Sequence, residues 1–276
     1  MHIRLLALAL VAFVLGASRV DAQFGRAEPV PGENYHIEFG LVFWNTDPGI
    51  VLGSPALHVF SPVPIDFVQA LNLEKTRFTE FRSVLKGGKH KLRFSRVPVN
   101  FSQTLVPPAT ITIGGNPIPI TGPTTGEVDW DMFRIGYEYD FGKADKGYIG
   151  FITEVKYNRI TASLDVPDLR GSVTLQDVKV PAPALGVVAR VYPHKWVSIT
   201  GEWTGFKVWS FLRTKLSDAE TFEANFKDFD VYGTFSPTRF FGVQGGYRNF
   251  SVDYIVDADT GDLSLKGLYF GGMVRF

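Results

Sequence analysis

The chain contains no cysteine among its 276 residues. Thiolate catalysis, Cys-ligated metals and disulfide scaffolding are therefore excluded. Neither sign of charge is in excess, since 28 Lys+Arg face 28 Asp+Glu. The basic stripe of a nucleic-acid-binding protein is missing, and no nucleic-acid partner is expected. Histidine is scarce, at five residues, which limits general acid–base and His-ligated metal chemistry. Apolar runs of helix-spanning length, about 20 residues, are absent. The one long run, Leu5–Leu15, is too short to cross a membrane as a helix.

That run has a different reading. It follows the basic start Met1-His2-Ile3-Arg4 and precedes Gly16, Ala17 and Ser18. Val20-Asp21-Ala22 then offers a small-residue cleavage site before Gln23. These are the parts of a secretory signal peptide. Residues 1–22 are read as that signal and residues 23–276 as one domain. Removing Arg4, Arg19 and Asp21 leaves 26 basic and 27 acidic residues.

What the sequence does have is Phe (24), Tyr (10), Trp (5) and Gly (28), spread along its length. They fall into period-two alternation, the pattern of a β-strand with two unlike faces. In Arg134–Phe141 one face carries Ile135, Tyr137, Tyr139 and Phe141, and the other Arg134, Gly136, Glu138 and Asp140. Leu185, Val187, Ala189 and Val191 oppose Gly186, Val188 and Arg190; Phe241, Val243, Gly245 and Tyr247 oppose Gly242, Gln244, Gly246 and Arg248. About ten such runs are expected, with eight or twelve as alternatives, each about 10 residues long as a tilted membrane-crossing strand requires. Short turns rich in Gly, Pro and Lys alternate with longer connections at 45–76, 102–126, 165–182 and 207–224. Short turns on one side and long loops on the other match a transmembrane barrel. Glycine weakens a solvent-facing strand, but among charged residues inside a narrow barrel it leaves room for long neighbours. The fold class is thus all-β, a transmembrane antiparallel up-and-down β-barrel. A soluble sandwich is the competing reading. Aromatics near strand ends (Tyr35, Trp44, Trp130, Phe141, Tyr148, Trp196, Trp203, Phe240, Tyr254) are expected to form interfacial girdles.

The chain ends in Phe276, with Val274, Gly272, Phe270 and Leu268 on the same face. This resembles the C-terminal signature of bacterial outer-membrane β-barrel proteins. The resemblance implies recognition by the barrel-assembly machinery, residence in the outer membrane and contact with its lipids and lipopolysaccharide. A monomer is expected, with no cofactor and no metal.

The lumen-facing charges are predicted to be Glu38, Glu80, Arg82, Arg93, Arg134, Glu138, Glu154, Lys156, Arg190, Glu202 and Arg248. Their near balance of sign points to an internal ion-pair network, because an unpaired buried charge is costly. The alternative is a narrow pore of mixed charge. The resulting role is structural, surface-recognition or narrow-channel. The rival class is a surface hydrolase with carboxylates at the extracellular rim, namely Asp129, Asp131, Asp228 and Asp230. The ten-stranded outer-membrane proteases pair such Asp residues with an Asp–His pair. Here His36, His90 and His194 fall at the opposite end, and only His58 is in an outer loop. Asp257–Asp262 departs from a calcium loop in its Gly and Glu positions and reads as a polar hairpin with a positive-φ Gly. The apolar connection 45–76 is expected to fold into the barrel mouth or to meet a hydrophobic ligand or partner, with a short helix within 64–73. Residues 111–120 are expected to form a small hairpin.

Overall fold

A computed structural model describes residues 34–55, 64–106, 109–113, 116–120, 122–144, 146–166, 171–208 and 221–276. Residues 1–22, expected to be a signal, and His58 lie outside them. The elements in chain order are β1 (Ile37–Gly53), β2 (Ile65–Asp66), α1 (Phe67–Leu71), β3 (Thr76–Gly87) and β4 (His90–Leu105). A separate hairpin follows, β5 (Ala109–Ile113) with β6 (Asn116–Ile120). The remaining strands are β7 (Thr124–Ala144), β8 (Gly147–Val166), β9 (Gly171–His194), β10 (Val197–Val208), β11 (Phe222–Phe235), β12 (Phe241–Val256) and β13 (Asp259–Arg275).

Ten strands, β1, β3, β4 and β7–β13, form one antiparallel ring. β13 closes on β1 from Glu38↔Arg275 to Gly53↔Thr260. At the foot of the seam Phe276 and Ile37 exchange backbone hydrogen bonds of 2.8 and 3.0 Å. Closure gives each of the ten strands two hydrogen-bonded neighbours, as a strand wall in lipid requires.

The strands are longer than alternation predicts, chiefly toward the long loops. β1 runs to Gly53 rather than Trp44, and β9 begins at Gly171 rather than Pro183. The reason is a reversal of polarity partway along each strand. On β7, Ile135, Tyr139 and Phe141 point outward near the short turns, while Arg134, Glu138 and Asp140 point inward. Toward the loops the same strand turns Val128, Trp130 and Met132 inward, and Glu127, Asp129 and Asp131 outward. β11 changes between Phe226 and Asp228 on its inner face, and between Lys227 and Phe229 on its outer face. The turn-end half has a charged lumen and an apolar exterior. The loop-end half has an apolar core and a polar exterior, as a soluble barrel would.

This reversal corrects the girdle assignment. Phe141, Trp196, Trp203 and Phe240 do face outward. Trp44, Trp130, Tyr148 and Tyr254 are buried inside, because their alternation phase is that of Val42, Val128, Ile152 and Val252. Trp44 Nε1 donates to the Gly267 carbonyl at 3.2 Å, and Trp130 Nε1 to Asn158 Oδ1 at 3.0 Å. Tyr35, ahead of β1, is buried at the turn end, where Lys86 and Arg275 lie over its ring.

Residues 64–72 of the apolar connection fold into the barrel mouth. Asp66 caps α1, accepting from the Val68 and Gln69 amides at 2.9 and 3.1 Å, and Asn72 ends it with φ 51°. Phe67, Ala70 and Leu71 join the buried core of the loop-end half. A Cβ on Gly126 would collide with Leu71, so this glycine makes the space the helix fills. The 257–262 hairpin places its positive φ on Asp257 (55°), not on a glycine. Gly261 lies in β13 opposite Tyr254, whose ring occupies the place of a Cβ.

Trp130 sits in this core against Phe250, with ring centroids 5.7 Å apart. Trp130→Ala is expected to lower stability by about 3–5 kcal/mol, measured as a shift of the denaturant midpoint.

Candidate functional site

The lumen of the turn-end half collects the chemistry-bearing residues. Period two puts alternate residues of every strand inside, so ten strands converge their charges on one narrow space. Small residues make the room. A Cβ on Gly136 would stand 2.9 Å from that of Glu154, and one on Gly246 would strike Tyr232.

Two balanced clusters result. In the first, Glu80 accepts from Arg248 Nη1 at 3.1 Å and from Arg82 Nη2 at 2.8 Å. Arg248 also donates to Asp228 through Nε at 2.9 Å and Nη2 at 2.8 Å, a bidentate pair. Lys156 bridges Asp228 (2.5 Å) and Glu154 (3.1 Å). Arg82 reaches Asp230 at 3.3 Å, and Asp230 also accepts from the Tyr269 hydroxyl at 2.7 Å. Arg134 lies 3.8–3.9 Å from Glu80, Glu154 and Asp228. Four cations thus meet four carboxylates.

In the second cluster Arg93 spans Glu138 (2.8 Å) and Glu202 (2.6 Å). Lys91 binds Glu138 at 2.6 Å, Asp140 at 3.2 Å and the Tyr148 hydroxyl at 2.7 Å. Tyr232 donates to Glu202 at 2.9 Å and accepts from Arg190 at 3.1 Å; Arg190 also donates to Thr200 at 2.8 Å. Three cations meet three carboxylates. Nearest the turns, Arg275 pairs with Glu38 and donates to Ser236 at 2.9 Å.

All eleven charges predicted for the lumen thus make polar contacts within these groups. Sequence reasoning missed Lys91, Asp140, Asp228, Asp230 and Arg275. Lys91 shares the phase of Arg93, Asp140 that of Glu138, and Arg275 follows Met273 on the inner face of β13; phase alone identifies all three. A β11 that begins at Asn225 puts Asp228 and Asp230 at the outer rim. The strand starts at Phe222, so these two carboxylates lie deep inside.

The carboxylates of the hydrolase reading are consequently not brought together. Asp129 and Asp131 face outward, engaged by Asn100 (2.7 Å) and Arg96 (3.2 Å). Asp228 and Asp230 are on the other side of the wall, in ion pairs. His36, His90 and His194 lie at the turn end. Among the described residues no group of His, Asp and Glu has the arrangement of a metal site.

A closed ten-stranded wall with an outward apolar belt defines the class, a transmembrane β-barrel. No family model and no curated protein matches the sequence. Solved structures do resemble the fold. The outer membrane protease OmpT of Escherichia coli aligns over 92% of this chain and 99% of its own, at 8% identity and a TM-score of 0.50. The Neisserial surface protein A aligns over 87% and 97% at 12% identity, with a TM-score of 0.35. The attachment invasion locus protein Ail of Yersinia pestis aligns over 88% and 99% at 7% identity, with a TM-score of 0.37. The fold is that of the bacterial outer-membrane β-barrels, and the apolar belt seats the chain in that membrane. In such barrels the short turns are periplasmic and the long loops extracellular.

Arg248 holds two buried carboxylates at once. Arg248→Met is expected to cost about 3–5 kcal/mol by leaving them uncompensated. Arg96→Met, at a pair half-exposed on the outer wall, should cost under about 1 kcal/mol. Denaturant midpoints of the two refolded variants measure both.

Proposed function

We propose that the protein is a sealed, non-conducting barrel that holds a folded extension above the outer membrane, a structural and surface-recognition role rather than a channel. The observation that supports this reading is the double filling of the lumen. Its periplasmic half is occupied by ion pairs of matched sign. Its extracellular half is occupied by a packed core of mainly aromatic and aliphatic side chains, with α1 packed into the mouth. The void among the charges, lined by Glu38, Arg82, Arg93, Glu138 and Glu202, measures about 40 Å³. That admits isolated waters, not a continuous column. Ion passage would require both fillings to be displaced together, and the polar groups of the upper one, among them Asn158, Gln176 and the Tyr254 hydroxyl, are engaged in hydrogen bonds within it.

Strands of 16 to 24 residues, such as β4, β7, β8 and β9, exceed the 9–11 or so that cross the hydrocarbon. The excess length stands in water, carrying the β5–β6 hairpin and the connections between strands. Recognition by loops on a rigid scaffold is a common arrangement.

Planar-bilayer recording of the refolded, heat-modifiable barrel tests the proposal. Silence at moderate voltage is expected. Discrete, reproducible conductance steps would make the protein a channel and discard the sealed-scaffold reading.

A further inference from the structure

A groove opens on the outer face of the wall, toward the loops from the belt residues Trp203, Phe229 and Leu268. It measures about 370 Å³, within the roughly 300–1,000 Å³ of pockets that hold small ligands. One row of the sheet forms its floor. Lys207 on β10, Asn225 on β11, Asp253 on β12, Asp262 on β13 and Val51 on β1 stand opposite one another in register. The next row toward the loops adds Glu223, Ile255 and Thr260. Pro64 leans over the β1 edge, its Cγ 3.3 Å from where a Cβ on Gly53 would stand.

The floor is held from behind. Ala224, Tyr254 and Gly261 alternate with the floor residues and turn inward. The Tyr254 hydroxyl donates to Gln176 at 2.9 Å. The Gln176 amide in turn donates to the Gly53 and Thr260 carbonyls at 3.1 and 3.2 Å. β9 is thereby tied across the core to the two strands at the groove's edge. Along the floor, the Asn225 amide donates to Asp253 Oδ2 at 2.9 Å. The Asp262 carboxyl is hydrogen-bonded to Asp253, and burial together with that facing carboxylate raises its pKa. The pair therefore holds a proton more readily than two separate aspartates. Like charges directly opposite weaken a sheet, and neither the lumen network nor the buried core draws on this pair.

We infer that the groove binds a neutral saccharide. Its floor sets acceptors and donors side by side: the Asp253 and Asp262 carboxyls, the Asn225 amide, the Thr260 hydroxyl and the Lys207 ammonium. Val51, Ile255 and Pro64 supply an apolar border. A sugar ring carries hydroxyls that both donate and accept, on a body with an apolar C–H face, and matches both features. An anionic ligand would be repelled by Glu223, Asp253 and Asp262. An apolar one would leave the polar row unpaired, which is costly. The inference rests on the surface-recognition part of the proposed role and gives it a ligand class. The groove lies outside the wall, so its failure would leave the sealed lumen, which conductance tests, untouched.

The test screens the folded barrel, in zwitterionic detergent free of sugar headgroups, on an array of neutral oligosaccharides. Glycans that bind are then titrated in solution. At least one neutral glycan is expected to bind. Asn225→Ala with Asp262→Ala should weaken it about tenfold or more, the loss of two or so hydrogen bonds. Thr260→Phe, which fills the groove without changing its charge, should abolish binding. Both variants should stay heat-modifiable. A control on the far outer face, Thr161→Ala with Asp177→Asn, should bind as the unaltered barrel does. No neutral glycan bound, or an affinity that survives either groove variant, would overturn the inference. Tighter binding of tetra-arginine would do so too, by making the groove a cation site. Displacement of the glycan by the phosphorylated core oligosaccharide of lipopolysaccharide would also overturn it, by assigning the groove to the membrane's own lipid.

Discussion

A strand wall in lipid has to satisfy all its backbone hydrogen bonds internally, and a closed ring of ten strands does so. The ring then forces a second condition. Each strand passes from hydrocarbon into water while its inner face looks into the same narrow lumen. In hydrocarbon the outer face must be apolar, which leaves the inner face to hold whatever polar groups the strand carries. In water the assignment exchanges. Val128, Trp130 and Met132 continue inward along the line begun by Arg134, Gly136 and Glu138, and Asp129 and Asp131 continue outward along the line of Ile135 and Tyr139. The backbone keeps its register through the change, as the unbroken β7–β8 pairing from Thr125↔Asp165 to Asp140↔Gly150 demonstrates.

The two fillings hold the barrel by different physics. Burial of apolar side chains in the upper half is favourable without directional demands. The two clusters and the Glu38–Arg275 pair of the lower half together hold eight cations and eight carboxylates. Buried ion pairs of this kind contribute modest net stability, because desolvation offsets most of the attraction. Their matched number and bidentate geometry instead specify one arrangement of long side chains in a space too small for another. Arg248 between Glu80 and Asp228, and Arg93 between Glu138 and Glu202, each tie together strands far apart in sequence.

Much of this was legible from the sequence. Alternation in Arg134–Phe141 and the terminal Phe276 give a closed antiparallel barrel, and the count of about ten strands matches the structure. Phase also found most of the lumen charges. What it did not reveal is the exchange of faces. An alternating segment such as Glu127–Met132 is equally regular whichever side is apolar, so alternation alone cannot tell lipid outside from core inside. Trp44, Trp130 and Tyr254 read as girdle residues for that reason. A sandwich-like pattern is in fact present, as the upper half of the same strands. The partner of the apolar connection was open for another reason: the Asp66 cap and the space at Gly126 matter only once β1, β4 and β7 stand around α1.

Whether each strand exchanges its faces at the membrane boundary can be read from a nitroxide scan along β7. Single labels at positions 127 to 141 would be placed in the bilayer-reconstituted barrel, and their collisions with oxygen and with a water-soluble nickel complex measured. High oxygen and low nickel accessibility is expected at 135 and 139, with the reverse at 129 and 131. Positions 130 and 132 should be shielded from both. An unbroken lipid-facing pattern running from 141 through 129 would contradict it.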